Sequence, residues 1–194
     1  MKTLVLDIGG IFFYPAWRLN GIPEASKILK VTEGDLQKAL TFEKRLFYTG
    51  QISEQAYWTQ ILKVLNRDSV SAEFLMALYR SYVQPVPETL SMLPNLASNY
   101  NLITCNNCPK EWMDYRISLA SLKSFFSEFH TSGYIGHMKP DDEMYSKIFL
   151  NTNTNLVDMV YIDDNEEYAI LVNKKYGLET QTYRNPEDLQ FWIR

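Results

Sequence analysis

The chain predicts an α/β protein: a parallel sheet with helices on both faces, split after its first strand by a helical insertion. Three observations predict it. The apolar run Leu4-Val5-Leu6 opens the chain as a buried strand, an unbroken helical pattern fills about Glu24 to Tyr82, and strict alternation of helix and strand follows.

Residues 1–12 read as the first strand, and Pro15, Asn20, Gly21 and Pro23 then punctuate a loop. In the insertion, Trp58, Ile61, Leu62 and Leu65 keep helical spacing, as do Leu75, Leu78, Tyr79 and Tyr82, so each segment has one apolar face to bury. Thr32 and Ser53 stand where N-caps belong. Pro85-Val86-Pro87 is the expected linker back. A helix over 88–98, a strand over Asn101–Cys105 and a helix from Pro109 to about Leu122 come next. A short strand over Phe129–Ser132, a helix opened by Pro140, a strand over Val157–Ile162 and a last strand over Glu179–Tyr183 complete the alternation, with the polar run 151–155 as a loop.

With 194 residues, 46% of them apolar and 22% charged, the chain has the balance of a globular protein with a sizeable core. A net charge of −4 gives no electrostatic footprint for nucleic acid or for an anionic membrane surface. The N-terminal apolar run is broken by Asp7, too early for a secretory signal or a membrane span, so a cytoplasmic location is expected. Cys105 and Cys108 are too few for a disulfide scaffold.

Asp7 ends an apolar run and precedes Ile8-Gly9-Gly10, so a carboxylate meets permissive backbone at the carboxyl end of a strand, where open α/β sheets bind ligands. The same edge should receive Thr104-Cys105-Asn106, Lys139 and Asp163-Asp164. Three carboxylates converging with one lysine suggest a divalent cation and an anionic substrate, since magnesium is held by one or two carboxylates together with phosphate oxygens. Alone, Lys139-Pro140-Asp141 reads equally well as a helix start.

Together these stretches resemble the haloacid dehalogenase-like hydrolase superfamily over nearly the whole chain: LVLDIGGIFF resembles its first motif, LITCNN its second, SGYIGHMKPDDEMY its third and YIDDNEEYA its fourth. The resemblance implies a three-layer Rossmann-like core made of residues 1–14 and 86–194, with residues 15–85 as an α-helical cap. It implies that Asp7 is the nucleophile, forming an aspartyl phosphate. It implies Mg2+ bound by Asp7, the Gly9 carbonyl and Asp164, with Asp163 as ligand or support, and Lys139 orienting Asp7 and neutralising phosphoryl charge. Thr104, Cys105 and Asn106 would supply the phosphate contacts of the second motif. The expected partner is a small phosphorylated metabolite.

Two positions depart from the family pattern. Gly9 stands where most family phosphatases carry an Asp that protonates the leaving group, help worth ~10²- to 10⁴-fold. A slowed enzyme that prefers good leaving groups is the expectation. Cys105 stands where Ser or Thr is usual, and a thiol is a poor donor. Cys105 and Cys108 also form a CxxC between strand and helix, the context of redox motifs, although two reduced cysteines brought together by chance is the plainer reading. Of the rest, His130 and His137 read as loop histidines, Phe12, Phe13, Tyr14 and Trp17 as packing between core and cap, Tyr57 and Trp58 as cap core, and Lys174-Lys175 as a solvated helix end. The rival readings are 2-haloacid dehalogenation, which needs no metal and gains nothing from the Asp163-Asp164 pair, and a non-catalytic binding or regulatory module.

Overall fold

A computed structural model describes residues 1–150 and 154–193. Four strands, β1 (Thr3–Leu6), β2 (Asn101–Thr104), β3 (Met159–Asp163) and β4 (Glu179–Thr182), form one parallel sheet in the order β2-β1-β3-β4. The pleat sorts the strand residues by face. Leu4, Leu6, Leu102, Val160 and Ile162 enter one apolar cluster, while Val5, Ile103, Met159 and Tyr161 enter a second on the other side. A sheet buried on both faces explains why its inner strands read as unbroken apolar runs.

The insertion between β1 and β2 comprises a π turn at Trp17–Gly21 and helices α1 (Ile22–Leu29), α2 (Glu33–Thr41), α3 (Lys44–Tyr48), α4 (Glu54–Val64) and α5 (Ala72–Ser81). Thr32 and Ser53 cap α2 and α4 as the spacing predicts, and Ser71 caps α5 in the same way, accepting from the Phe74 amide. Each cap is typically worth ~1 kcal/mol. The insertion's two connections run side by side, with the Tyr14 amide donating to the Gln84 carbonyl and the Val86 amide to that of Phe12, both at 2.9 Å.

The remaining helices are α6 (Pro87–Leu90), α7 (Leu93–Asn99), α8 (Lys110–Leu119), α9 (Ser132–Ile135), α10 (Asp142–Phe149), α11 (Glu166–Tyr176) and α12 (Glu187–Gln190). Side chains of α7, α8 and α12 fill the first cluster, which continues without a break into the insertion through Ile22, Leu36, Trp58 and Leu75. Those of α10 and α11 fill the second.

Several expectations change. The first strand stops at Leu6, and residues 7–13 form a buried loop that turns at Gly10, whose φ of 77° is left-handed. The helix expected over 88–98 is two, because Pro94 in the first turn of α7 has no amide to continue α6. No strand forms over Phe129–Ser132. Glu128 and Thr131 make single bridging contacts with Ile103 and Asn106, and Ser132 already begins α9. The strand expected from Val157 starts at Met159 and reaches Asp163. Of the loop expected at 151–155, residues 151–153 lie outside the described residues. Among the described residues no helix is long and apolar enough to cross a membrane.

Candidate active site

Because β1 and β3 are adjacent and parallel, Asp7 and Asp163 arrive at the same edge, and the Asp7 amide donates to the Ile162 carbonyl at 2.9 Å. Lys139 reaches them from the loop between α9 and α10. Its Nζ donates to Asp7 Oδ1 at 2.7 Å and to Asp163 Oδ2 at 2.6 Å, and it stands 5.1 Å from the centre of the Tyr168 ring. Lys139 is 2% exposed and Asp7 7%, so this ion cluster has left bulk water. Burial pushes the Asp7 carboxyl up to about 7 against the pull of Lys139, with Asp163 and Asp164 pushing the same way. Burial works against the charge on Lys139, yet Asp7 and Asp163 hold its pKa well above the ordinary value.

Asp163 is spoken for. Oδ2 accepts from Lys139 and from the Tyr161 hydroxyl, and Oδ1 from the Asn165 amide at 2.8 Å. Both carboxylate oxygens of Asp163 are thus already hydrogen-bonded within the protein. Asp164 is exposed at the rim, packed on Gly10 so closely that a β-carbon there would meet its Oδ2 at 2.1 Å. Asp7 Oδ2 lies on the Gly9 side, 3.6 Å from where a β-carbon of Gly9 would stand.

These groups open on a cavity of about 600 Å³ lined by Asp7, Gly9, Asn107, Arg116, Lys139 and Asp164, among others. A cavity of similar size, about 630 Å³, on the insertion is lined by Asp35, Lys38, Glu43 and apolar residues such as Val31 and Val64, and shares no residue with this site.

The second-motif residues sit differently from expectation. Thr104 donates its hydroxyl to the His130 carbonyl, Cys105 is sealed in the second apolar cluster, and the Asn106 amide nitrogen turns to the Met113 sulfur. None of the three lines the cavity. The cavity residue of this segment is Asn107. Its Oδ1 accepts from the Lys139 amide at 2.7 Å and its Nδ2 donates to the Lys139 carbonyl at 2.8 Å. Cys105 and Cys108 are free thiols, pushed by burial up to about 12 and about 11 and divided between the two apolar clusters, which disfavours the redox reading. His137 does not line the cavity, and His130 pairs with Glu128. Phe12, Tyr57 and Trp58 are core, whereas Phe13 and Tyr14 line the cavity wall. Lys175 pairs with Asp142 at the end of α11.

The sequence reading also missed Arg116. A signal existed: on α8 it shares the stripe of Trp112, Met113 and Ile117, so a charge sits among inward-facing apolar positions.

Among the described residues no three His, Cys, Asp or Glu side chains gather closely enough to enclose a metal by themselves. A cation here has to be completed by backbone, water and substrate oxygens, which is how magnesium is commonly held. The donor set fits that ion: hard carboxylate oxygens on Asp7 and Asp164, and glycine backbone between them.

A sequence profile described as haloacid dehalogenase-like hydrolase matches residues 29–181. The fold is shared with a HAD family enzyme of Bacteroides thetaiotaomicron, solved in complex with magnesium and inorganic phosphate, at TM-score 0.86 and 20% identity over 100% of both chains. It is shared too with L-2-haloacid dehalogenase of Xanthobacter autotrophicus with chloropropionic acid covalently bound, at TM-score 0.65 and 14% identity over 98% of this chain and 81% of that one. The curated drimenol cyclase drtB of Aspergillus calidoustus is 19% identical over 98% of the chain, which spans 35% of that relative's length.

Proposed function

The chain belongs to the haloacid dehalogenase-like hydrolase family, and from that premise we propose that it is a magnesium-dependent phosphatase of a small phosphorylated metabolite, working through an aspartyl phosphate on Asp7. The observation behind this reading is the buried triad of Asp7, Lys139 and Asp163, with Asp164 at the rim of the same cavity. A magnesium ion held by Asp7, Asp164 and the Gly9 carbonyl would neutralise phosphoryl oxygens. A dehalogenase would have no use for Asp164 beside its nucleophile, so the acidic rim favours phosphate chemistry.

Each residue then has a task. Asp7 attacks phosphorus, and the P–O bond to the leaving group breaks. Lys139, held by Asp163 from behind and by Asn107 along its backbone, keeps Asp7 Oδ1 in place and balances the charge that grows on the transferring group. The helical insertion serves as the cap, excluding water and reading the rest of the substrate. Gly9 offers no proton to the leaving group, so turnover is slow or selective for groups that leave without one.

A phosphatase screen over a metabolite panel with and without magnesium tests this. Phosphate release that needs magnesium and vanishes in Asp7→Asn supports the reading. Halide release from 2-haloacids in the presence of a chelator would replace it.

A further inference from the structure

Arg116 stands in the wall of the cavity with no carboxylate paired directly to its guanidinium, and Asp7 acts on its charge only through space. Nη1 donates to Cys108 Sγ at 3.7 Å, Nη2 to the Tyr79 hydroxyl at 3.3 Å, and the guanidinium lies 5.3 Å from the centre of the Phe13 ring. Nε is buried and has no hydrogen-bond partner, and Arg116 joins none of the ion pairs, among the described residues. A guanidinium cannot shed its charge, and this half-buried one, whose direct partners are neutral, keeps donor capacity for an anion. The cavity shows where that anion comes. Nη1 stands 4.0 Å from the β-carbon position of Gly9, and Asp7 Oδ2 stands 3.6 Å from the same point. The nucleophile and the guanidinium therefore both border the space that a Gly9 side chain would fill.

We propose that Arg116 receives the leaving group, and that the substrate is an anhydride of phosphoric acid whose leaving group departs as an oxyanion. This rests on the phosphatase reading of the same site. An alkoxide needs a proton as it leaves, and Gly9 has none to give. A carboxylate or phosphate needs only stabilisation of its negative charge, which a fixed guanidinium supplies. Asp7 attacks the terminal phosphorus, the anhydride P–O bond breaks, and its electron pair stays on the departing oxygen, which faces Arg116. Water then attacks the aspartyl phosphate. Its P–O bond to Asp7 breaks, the carboxylate returns, and one water proton stays on orthophosphate while the other goes to solvent. Behind Arg116 a recess of about 150 Å³ walled by Trp17, Tyr48, Tyr79 and Trp112 has room for an organic remainder. Acyl phosphates and diphosphate monoesters share this chemistry.

The test compares wild type, Arg116→Met and Gly9→Asp, with magnesium, on acetyl phosphate, methyl diphosphate and glycerol 3-phosphate, with calorimetric binding of orthophosphate alongside. Wild type should prefer at least one anhydride over glycerol 3-phosphate, and the preferred anhydride identifies the source. Arg116→Met should cut that preference by ~100-fold, mainly in kcat. Gly9→Asp, which sets a carboxylate against Arg116, should shift the preference toward glycerol 3-phosphate. Equal loss on all three substrates in Arg116→Met, or no anhydride preference in wild type, overturns the proposal while magnesium-dependent turnover leaves the phosphatase reading standing. If wild type neither binds orthophosphate nor releases it from any substrate, both readings fall together.

Discussion

The side-chain amide of Asn107 closes on both backbone groups of Lys139, accepting from its N–H at 2.7 Å and donating to its carbonyl at 2.8 Å. This clasp ties the end of β2 to the loop that delivers the Lys139 ammonium to Asp7. Asn107→Ala should lower kcat by ~10- to 100-fold, the effect of losing one or two buried hydrogen bonds, with the fold kept. Steady-state kinetics beside circular dichroism checks it, and an unchanged kcat would show that Lys139 is held by its ion pairs alone.

Lys139 and Asp7 should have opposite effects on stability. Removing the ammonium in Lys139→Met leaves Asp7 and Asp163 as buried like charges, an event that typically costs ~3 to 5 kcal/mol. Burial already disfavours ionised Asp7, so Asp7→Asn should unfold at the same or a higher denaturant concentration than wild type while losing activity. Urea unfolding of both variants and of the double variant measures this, and the double variant should recover part of what Lys139→Met loses.

Gly10 should tolerate no side chain. Its φ of 77° strains other residues, and a β-carbon would meet Asp164 Oδ2 at 2.1 Å. Gly10→Ala should displace Asp164 and weaken magnesium binding by ~10-fold or more, in keeping with the loss of a metal-site contact, as read by calorimetry.

The buried thiols set a pH limit on the fold. A thiol whose folded pKa is lifted binds its proton more tightly in the native state. The benefit is complete below the free value of 9.0 and is lost as pH rises through about 11 for Cys108 and about 12 for Cys105. Stability should therefore fall above pH 9, and neither thiol should react with a disulfide reagent near pH 8 before unfolding. Rapid labelling of the native protein at that pH would contradict the assignment.

Glu54 is a buried acid that joins insertion to core. Its carboxylate takes two bonds from Arg80, at 2.8 and 2.5 Å, one from Trp58 Nε1 and one from Trp112 Nε1 on α8. Glu54→Ala strands the Arg80 guanidinium and both indoles, so a loss of ~3 kcal/mol or more in unfolding free energy is expected.

The parallel sheet and its insertion were legible because apolar runs and helical stripes report burial directly, as Leu4-Val5-Leu6 and the Trp58, Ile61 and Leu62 stripe show. The meeting of Asp7 and Asp163 was legible too, since strand ends in a parallel sheet share one edge, whereas Lys139 reaches them from a loop whose expected strand does not form. Which way single side chains turn was not. Asn107 rather than Thr104, Cys105 or Asn106 faces the cavity, a choice set by the backbone path beyond β2. Arg116 escaped notice because an arginine on an apolar stripe resembles a solvated charge until the helix is docked.

The claim on which the account turns is that Asp7 becomes covalently phosphorylated. Rapid acid quench of magnesium-loaded protein with a turned-over substrate, followed by peptide mass spectrometry, measures it directly. The account predicts one labile phosphate on the peptide containing Asp7, absent in Asp7→Asn and destroyed by hydroxylamine. Turnover with no phosphate on that peptide under single-turnover conditions would contradict it.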